Sequence, residues 1–482
     1  MLDLSPILTI VGALLATLGV TMMIPALVDA AVANPDWQVF AVSSLITLMI
    51  GLGLTATGRG RSTVLGARQA IVMTVAAWTI LPAFAAFPFL WSETVPHYTD
   101  AFFEAMSGLS TTGATVIVGL DTAPPGILLW RSLLQWLGGL GVIVMAVAVL
   151  PMLQVGGLQL FKAEAFETPE KIMPRATQIS GSLTLIFAAF TALCAFAYMV
   201  AGMGAFDAVN HAMTTVATGG FSTKDASIGH FQSFAVDVVA IVFMVIGSLP
   251  FLLYVQALRG QPGALIRDEQ VRGFFFILGA AIAAMTAAIA IRGHFEVPEA
   301  LRHAMVNVIS VMTGTGYATH DYNGWGPFAV ALFLTLTFIG GCAGSTACGM
   351  KVFRIQVAAK VIGKHVRQIT YPNGVFHLRF NDRALQQNVI SSVMAFLFLF
   401  FGLFSMLAIA LVFTGMDTIS SISGAATAIA NVGPGLGEAI GPASNFKEVP
   451  LAAKWLMSVG MLIGRLEIFT VLVLFVPRFW AN

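Results

Sequence analysis

Apolar windows separated by polar segments recur ten times along the chain. They lie at 4–28, 39–57, 70–91, 127–150, 182–203, 234–258, 274–291, 328–339 continuing brokenly to 361, 389–414 and 452–476. Most are close to the roughly 20 residues that one helical crossing of a bilayer needs. The first precedes Ala31-Val32-Ala33, as a secretory signal would precede its cleavage site. However, the stretch before it holds Asp3 and no Lys or Arg, and the run is too long for a signal core, so it is read as a transmembrane helix. Several polar segments contain 10 to 15 moderately apolar residues, too short to span, followed by a Gly-rich turn; such stretches re-enter the membrane and return.

These re-entrant stretches repeat. With Gly113, Gly220, Gly316 and Gly433 in one column, the intervals are 107, 96 and 117 residues. Six residues before each glycine stands a hydroxyl: Ser107, Thr214, Ser310 and Thr427. Twelve before stand the small residues Ala101, Ala208, Ala304 and Ser421. Beyond the glycines come acids, Asp121, Asp225, Asp321 and Glu438. The pattern predicts an all-α polytopic membrane protein with ten transmembrane helices: four pseudo-symmetric helix–pore-loop–helix repeats around a central pore, plus an N-terminal helical hairpin. The expected units are the hairpin 1–60 and repeats 61–165, 166–262, 263–375 and 376–482, the third carrying a broken inner helix.

Charge orients this frame. One set of alternating loops holds Arg59, Arg61, Arg68, Lys162, Lys171, Arg175, Arg259, Arg267, Arg272, Arg354, Lys360, Lys364, Arg367, Arg379 and Arg383, with Arg478 after the last window. The opposite face has only Lys224, Arg292, Arg302, Lys447 and Lys454, so the basic face and both termini are expected in the cytoplasm. Composition agrees with a lipid-embedded chain: 57% of residues are apolar and 10% charged, against about a quarter charged in soluble domains. Lys plus Arg (24) nearly balance Asp plus Glu (23), which removes the charge attraction that nucleic acid would require. Cys194, Cys342 and Cys348 form no CxxC spacing, and so predict neither a disulfide framework nor a zinc site.

The glycine column carries the chemistry. A dehydrated alkali ion needs water oxygens replaced, and a ring of backbone carbonyls does this without fixed charge. Aiming successive carbonyls at one axis takes backbone angles, some with positive φ, that glycine adopts most cheaply. The segments Ser110-Thr111-Thr112-Gly113-Ala114, Ala217-Thr218-Gly219-Gly220-Phe221, Thr313-Gly314-Thr315-Gly316-Tyr317 and Ala430-Asn431-Val432-Gly433-Pro434 contain no ionisable carboxylate or base. The short helices before them are expected to aim their partly negative carboxyl ends at the centre. The acids beyond either form a cation-concentrating vestibule or mark the return to water.

These loops, together with Arg131-Ser132-Leu133-Leu134-Gln135-Trp136-Leu137-Gly138-Gly139 and Gly340-Gly341-Cys342-Ala343-Gly344-Ser345-Thr346, resemble the membrane subunit of the Trk-type potassium uptake system of the Trk/Ktr/HKT superfamily over essentially the whole chain. The resemblance implies potassium as the transported ligand, held by backbone carbonyls, with no organic cofactor in the chain. It assigns the filter to Gly113, Gly220, Gly316 and Gly433 and the two residues before each: Thr111, Thr112, Thr218, Gly219, Gly314, Thr315, Asn431 and Val432. It further implies a homodimer in the bacterial inner membrane and a cytosolic nucleotide-binding regulator of the TrkA type on the basic face. Thr218-Gly219 and Asn431-Val432 depart from a TVG filter pattern, in the direction of a looser filter with weaker discrimination against sodium.

The eighth window is interrupted by Gly340, Gly341, Gly344 and Gly349 with Ser345 and Thr346 among them. A continuous helix is disfavoured there, which leaves an unwound loop lining a cavity or a close-packed small-residue crossing. Arg465, in the last window, has no carboxylate three or four residues away; on a continuous helix Glu467 projects about 200° from it. A buried arginine needs a partner. The resemblance points to the broken loop and to a gate formed by Gly340, Gly341, Cys342, Ala343, Gly344, Ser345, Thr346 and Gly349 with Arg465, the alternative being a simple helix tie. Lys351 reads as a snorkelling interfacial cation.

Competing functions are weaker. A potassium- and sodium-permeable or proton-coupled symporter of the same superfamily stays open. A secondary transporter for a solute would need mid-span titratable groups, and only Asp237 and Glu467 offer themselves. No nucleophile, base or metal constellation suggests an enzyme. Gly433-Pro434-Gly435-Leu436-Gly437 lacks the strand and lysine of a nucleotide loop. The histidines show no ligand spacing, and His211 reads as a packed polar group.

Overall fold

A computed structural model describes residues 3–58, 66–148 and 172–480, without the side chains of 146–148 and 172–178. Of the basic-face cations, Arg59, Arg61, Lys162 and Lys171 lie outside the described residues, as does the Arg175 side chain.

Among the described residues, seven helices are long and apolar enough to cross a membrane, or nine if each of two sharply bent pairs counts as one crossing. The helix Pro327–Phe338 occupies a further window but has only 12 residues. The first two helices, Ser5–Ala31 and Trp37–Thr57, form a hairpin. Small residues let them touch backbone to backbone: a Cβ on Gly12 would fall 2.6 Å from the Thr55 amide nitrogen. The Ser44 hydroxyl donates to the Gly19 carbonyl at 2.7 Å across the same seam. Much of the hairpin faces outward, with Leu45, Met49 and Leu52 each more than half exposed, as a lipid-facing surface requires.

After the hairpin one order of elements recurs four times: a long helix, a short buried helix, a glycine turn and another helix. The short helices are Tyr98–Leu109, Ala205–Val216, Val297–Thr313 and Thr418–Ala430. The hairpin is tied to the rest by Asp29, which is buried and accepts from the Gly126 amide at 2.7 Å in the first turn of Pro125–Ala148.

The structure corrects two windows that the apolar pattern reads as continuous. Window 234–258 bends by 91° between Phe234–Ser248 and Phe251–Leu258, and window 452–476 bends by 112° between Leu451–Arg465 and Ile468–Phe475. The first break follows from Pro250, which disfavours helical angles at Leu249 and supplies no amide. The second passes through Glu467 at φ +63. A small antiparallel hairpin, Arg379–Phe380 with Arg383–Ala384, was not foreseen; Asn381 and Asp382 turn it with φ +47 and +60, the angles of a tight two-residue loop.

Asp29→Ala strands a buried amide, a loss of about 1–3 kcal/mol. It should lower the melting midpoint of the detergent-solubilised protein by several degrees, with Asp29→Asn, which keeps an acceptor, falling less. Equal midpoints for wild type and Asp29→Ala would show that the tie contributes nothing.

Candidate functional site: four glycine turns and an intramembrane loop

Each short helix ends at a residue in left-handed conformation two positions before the column glycine: Thr111 (φ 54), Thr218 (φ 50), Gly314 (φ 80) and Asn431 (φ 53). This is how helices commonly terminate, but glycine usually occupies such a position. A β-branched threonine there costs of order 1–3 kcal/mol and persists because neighbouring bonds fix it. Those bonds run to the backbone carbonyl of the hydroxyl column. Ser107 O accepts from Thr112 N at 2.9 Å, Thr214 O from Gly219 N at 2.8 Å, Ser310 O from Gly316 N at 3.1 Å and Thr427 O from Val432 N at 3.1 Å. The hydroxyls themselves share no role: Ser107 Oγ and Ser310 Oγ have no partner, whereas Thr214 bonds the Tyr317 hydroxyl at 2.5 Å.

The four turns meet, and they do so in sequence order. A Cβ on Gly113 would collide with the Gly219 carbonyl oxygen, and one on Gly220 with that of Thr315. On Gly316 it would lie 3.0 Å from Gly433 N, and on Gly433 3.0 Å from Gly113 O and 3.1 Å from Thr112 O, which closes the ring. Gly113, Gly220 and Gly316 have φ of +85, +76 and +83, as the turn geometry requires. Gly433 is not in the left-handed region, so at the fourth turn glycine is demanded by close approach. Among the described residues no hydrogen bond reaches the carbonyl oxygens of these four glycines.

Flanking side chains fix the ring. Gln135 clamps the second turn, donating from Nε2 to Gly219 O at 2.6 Å and accepting from Phe221 N at 3.0 Å. The Gly219 carbonyl, one of those the resemblance assigns to the filter, thus accepts one side-chain hydrogen bond and keeps a second lone pair. Arg131, fully buried, pairs with Glu104 at 2.8 Å and donates to Ser222 O at 2.7 Å and to Thr115 Oγ1 at 3.1 Å, joining the first turn to the second. Asn431 Nδ2 joins the fourth to the first, donating to Thr112 Oγ1 at 2.9 Å. Tyr317 joins the third to the second through Thr214 and Thr215. His211 is packed, as expected, between Asp207 O at 2.8 Å and Ser222 Oγ at 2.9 Å. Sequence reasoning gave Glu104, Arg131 and Gln135 no role. The spacing of Arg131, Gln135 and Gly138 on one face of an apolar helix was the available signal.

Two cavities face the ring. One, of about 70 Å³, is lined by the four glycines, Arg131, Lys224 and Asp225. Asp225 is the only one of the four column acids that lines it, and its Oδ1 accepts from Gly119 N and Leu120 N, each at 3.1 Å. Asp321 caps a single turn through Asn323 N at 3.0 Å, so a four-acid vestibule ring is not formed.

The second cavity, of about 50 Å³, is lined by Asn431, Ala343, Gly344, Ser345, Cys348, Gly349 and Arg465, among others. The broken eighth window is an unwound loop between Pro327–Phe338 and Val352–Thr370. It closes on itself through Gly340 N to Met350 O at 2.8 Å and Met350 N to Phe338 O at 3.0 Å. It docks into the 91° break: Cys342 N donates to Ser248 O at 2.9 Å, Thr346 N to Gly247 O at 3.1 Å, and Phe251 N to Gly344 O at 2.9 Å. Gly340, Gly341 and Cys342 thus anchor the loop away from the cavity. Thr346 reaches the second turn, where Thr218 Oγ1 lies at 3.2 Å.

Arg465 meets this loop. Its Nη1 donates to Cys348 Sγ at 2.5 Å and to Thr346 O at 3.4 Å, and its Nη2 to Gly138 O at 3.4 Å. Two cations, Arg354 and Lys351, differ from the sequence reading. Arg354, read as a loop cation, is buried, pairs with Glu467 at 2.5 Å and lies 3.7 Å over the Phe396 ring. Lys454, expected near the outer face, is in addition a buried partner of Asp100 at 2.6 Å in the first turn of Leu451–Arg465. Lys351 Nζ turns back to the Ala347 carbonyl and lines the inner cavity, so it is not a snorkelling cation.

Residues 36–481 match the TrkH family, described as cation transport proteins. A Trk system potassium uptake protein, TrkI, of Halomonas elongata is 44% identical over 480 residues, 99% of this chain and 97% of that one. A Trk system potassium uptake protein, TrkH, of Vibrio parahaemolyticus is 38% identical over 484 residues, 99% of each chain. The crystal structure of the potassium transporter TrkH from Vibrio parahaemolyticus matches with a TM-score of 0.92 at 37% identity, covering 99% of this chain and 100% of that one. Family, relatives and fold agree on a transport protein rather than an enzyme: the chain belongs to the TrkH family of cation transport proteins.

Proposed function

We propose that this chain is the potassium-conducting subunit of an uptake system in the bacterial inner membrane, with both termini in the cytoplasm. The observation that carries the reading is the closed ring of four turns, in which the carbonyls of Gly113, Gly220, Gly316 and Gly433 have no hydrogen-bond donor among the described residues. Unpaired main-chain oxygens in a ring free of carboxylates suit a monovalent cation that has shed water. The filter consists of Thr111, Thr112, Gly113, Thr218, Gly219, Gly220, Gly314, Thr315, Gly316, Asn431, Val432 and Gly433. At Gly219 the residue acts as a brace through Gln135. The names of the Halomonas and Vibrio relatives support potassium as the ion.

The loop from Gly340 to Gly349, latched by Arg465, acts as the gate beneath the ring. Its support is the direct contact of Arg465 with Cys348 and Thr346 at the inner cavity. A guanidinium there repels an approaching cation as well as holding the loop. The four element groups correspond to repeats 61–165, 166–262, 263–375 and 376–482 around one pore. Two such chains form the complex. A cytosolic nucleotide-binding regulator docks on the basic face, where Val352–Thr370 presents Arg367 beside an exposed apolar stripe of Ile362, Val366 and Ile369.

Gly113→Ser puts a Cβ against the Gly219 carbonyl and distorts the ring. The potassium-to-sodium permeability ratio of the reconstituted protein should drop about tenfold, equivalent to about 1.4 kcal/mol, measured from reversal potentials; an unaltered ratio removes the filter assignment. Arg465→Ala should raise basal rubidium uptake several-fold at equal protein in the membrane. Reduced uptake with poor yield would instead make Arg465 a structural tie.

A further inference from the structure

The Arg465 guanidinium, in contact with the Cys348 sulfur, is incompletely satisfied. The arginine is 6% exposed, and its Nε has no hydrogen-bond partner. A buried donor left unpaired is costly, and Nη1 of the same guanidinium is spent on a sulfur that accepts hydrogen bonds weakly. Cys348 Sγ also lies 3.5 Å from Thr111 Oγ1 of the first turn, so the thiol stands between ring and latch. Both Cys348 and Arg465 line the inner cavity, whose volume of about 50 Å³ admits a molecule of peroxide size. Cys194 and Cys342 are fully buried and line no part of it.

We propose that Cys348 is a peroxide-modified thiol whose oxidation tightens the Arg465 latch. The proposal rests on reading the loop as a gate. Hydrogen peroxide converts the thiol to a sulfenic acid: an S–O bond forms, the O–O bond breaks, sulfur loses two electrons, and the remaining oxygen leaves as water. The new oxygen is a strong acceptor beside a guanidinium that has a donor to spare. It replaces a weak sulfur contact with a charge-assisted hydrogen bond. The oxidised loop is held more firmly beneath the ring, and conduction falls. Dithiothreitol reverses the change: one of its thiols condenses with the sulfenic acid to a mixed disulfide with loss of water, and its second thiol then attacks that disulfide, releasing the Cys348 thiol and cyclic oxidised dithiothreitol.

The test uses the purified full chain in liposomes, with rubidium uptake measured before and after hydrogen peroxide and again after dithiothreitol. Dimedone is added as portions of the same samples are unfolded in sodium dodecyl sulfate, so that it reaches the buried sulfur, and peptide mass spectrometry locates the adduct. The expected result is a several-fold fall in uptake, recovery with dithiothreitol, and a dimedone adduct at Cys348. Cys348→Ala, compared with its own untreated uptake, should not respond to peroxide. Absence of the adduct at Cys348 in wild type overturns the proposal even if the variant fails to reconstitute. An adduct with unchanged or increased uptake, or an equal fall in Cys348→Ala, also overturns it. The gate reading is judged separately by Arg465→Ala: raised uptake in that variant beside an unresponsive wild type would leave the gate standing and reject only the oxidative brake.

Discussion

The architecture depends on how closely four main-chain turns approach one another. Carbonyl oxygens and α-carbons from different turns meet at distances that leave no room for a β-carbon at Gly113 or Gly220 and little at Gly316 or Gly433. Such crowding of like dipoles is unfavourable unless the surroundings hold it. The braces are Gln135, Arg131 with Glu104, Asn431 and Tyr317, each bonded between turns or between a turn and its support. The cost of two threonines in left-handed conformation is borne by the same network.

Charge is distributed to suit that constraint. Of the buried ion pairs, Arg131 with Glu104 braces the first turn, Arg354 with Glu467 stands at the break in the last window, and Lys454 with Asp100 joins the first turns of two helices; Glu104 bonds Thr115 and Val116 just past Gly113, and no carboxylate lies among the column glycines themselves. A buried pair contributes little net stability, but losing one member leaves an uncompensated charge. These pairs therefore specify which elements meet. Around them the outer surface is apolar, so polar chemistry is inside and hydrocarbon outside, the reverse of a soluble protein.

Much of this was legible in the sequence because it was repeated. Gly113, Gly220, Gly316 and Gly433 share a frame, and the structure brings them to one place. The hydroxyl column marks the repeat, but the atom it contributes to each turn is the backbone carbonyl, which leaves no signature in residue type. Breaks near Pro250 and Glu467 were hidden because hydropathy is insensitive to direction, so a bent span and a straight one read alike. Arg354 and Lys454 were placed by counting cations against loops, and their partners, Glu467 and Asp100, lie 113 and 354 residues away in the chain. Long-range pairing of single residues has no periodicity to betray it.

The docking of the loop into the bend near Pro250 has a thermodynamic corollary. Gly247 and Ser248 lend their carbonyls to Thr346 and Cys342, and Phe251 gives its amide to Gly344. Were the loop to swing away, as the proposed gate requires, these groups would be stripped of protein partners at a depth where hydrocarbon offers none. Only incoming solvent can take over, so in the gate proposed above unlatching and wetting would amount to one event, and the equilibrium between shut and conducting forms would shift with the activity of water itself.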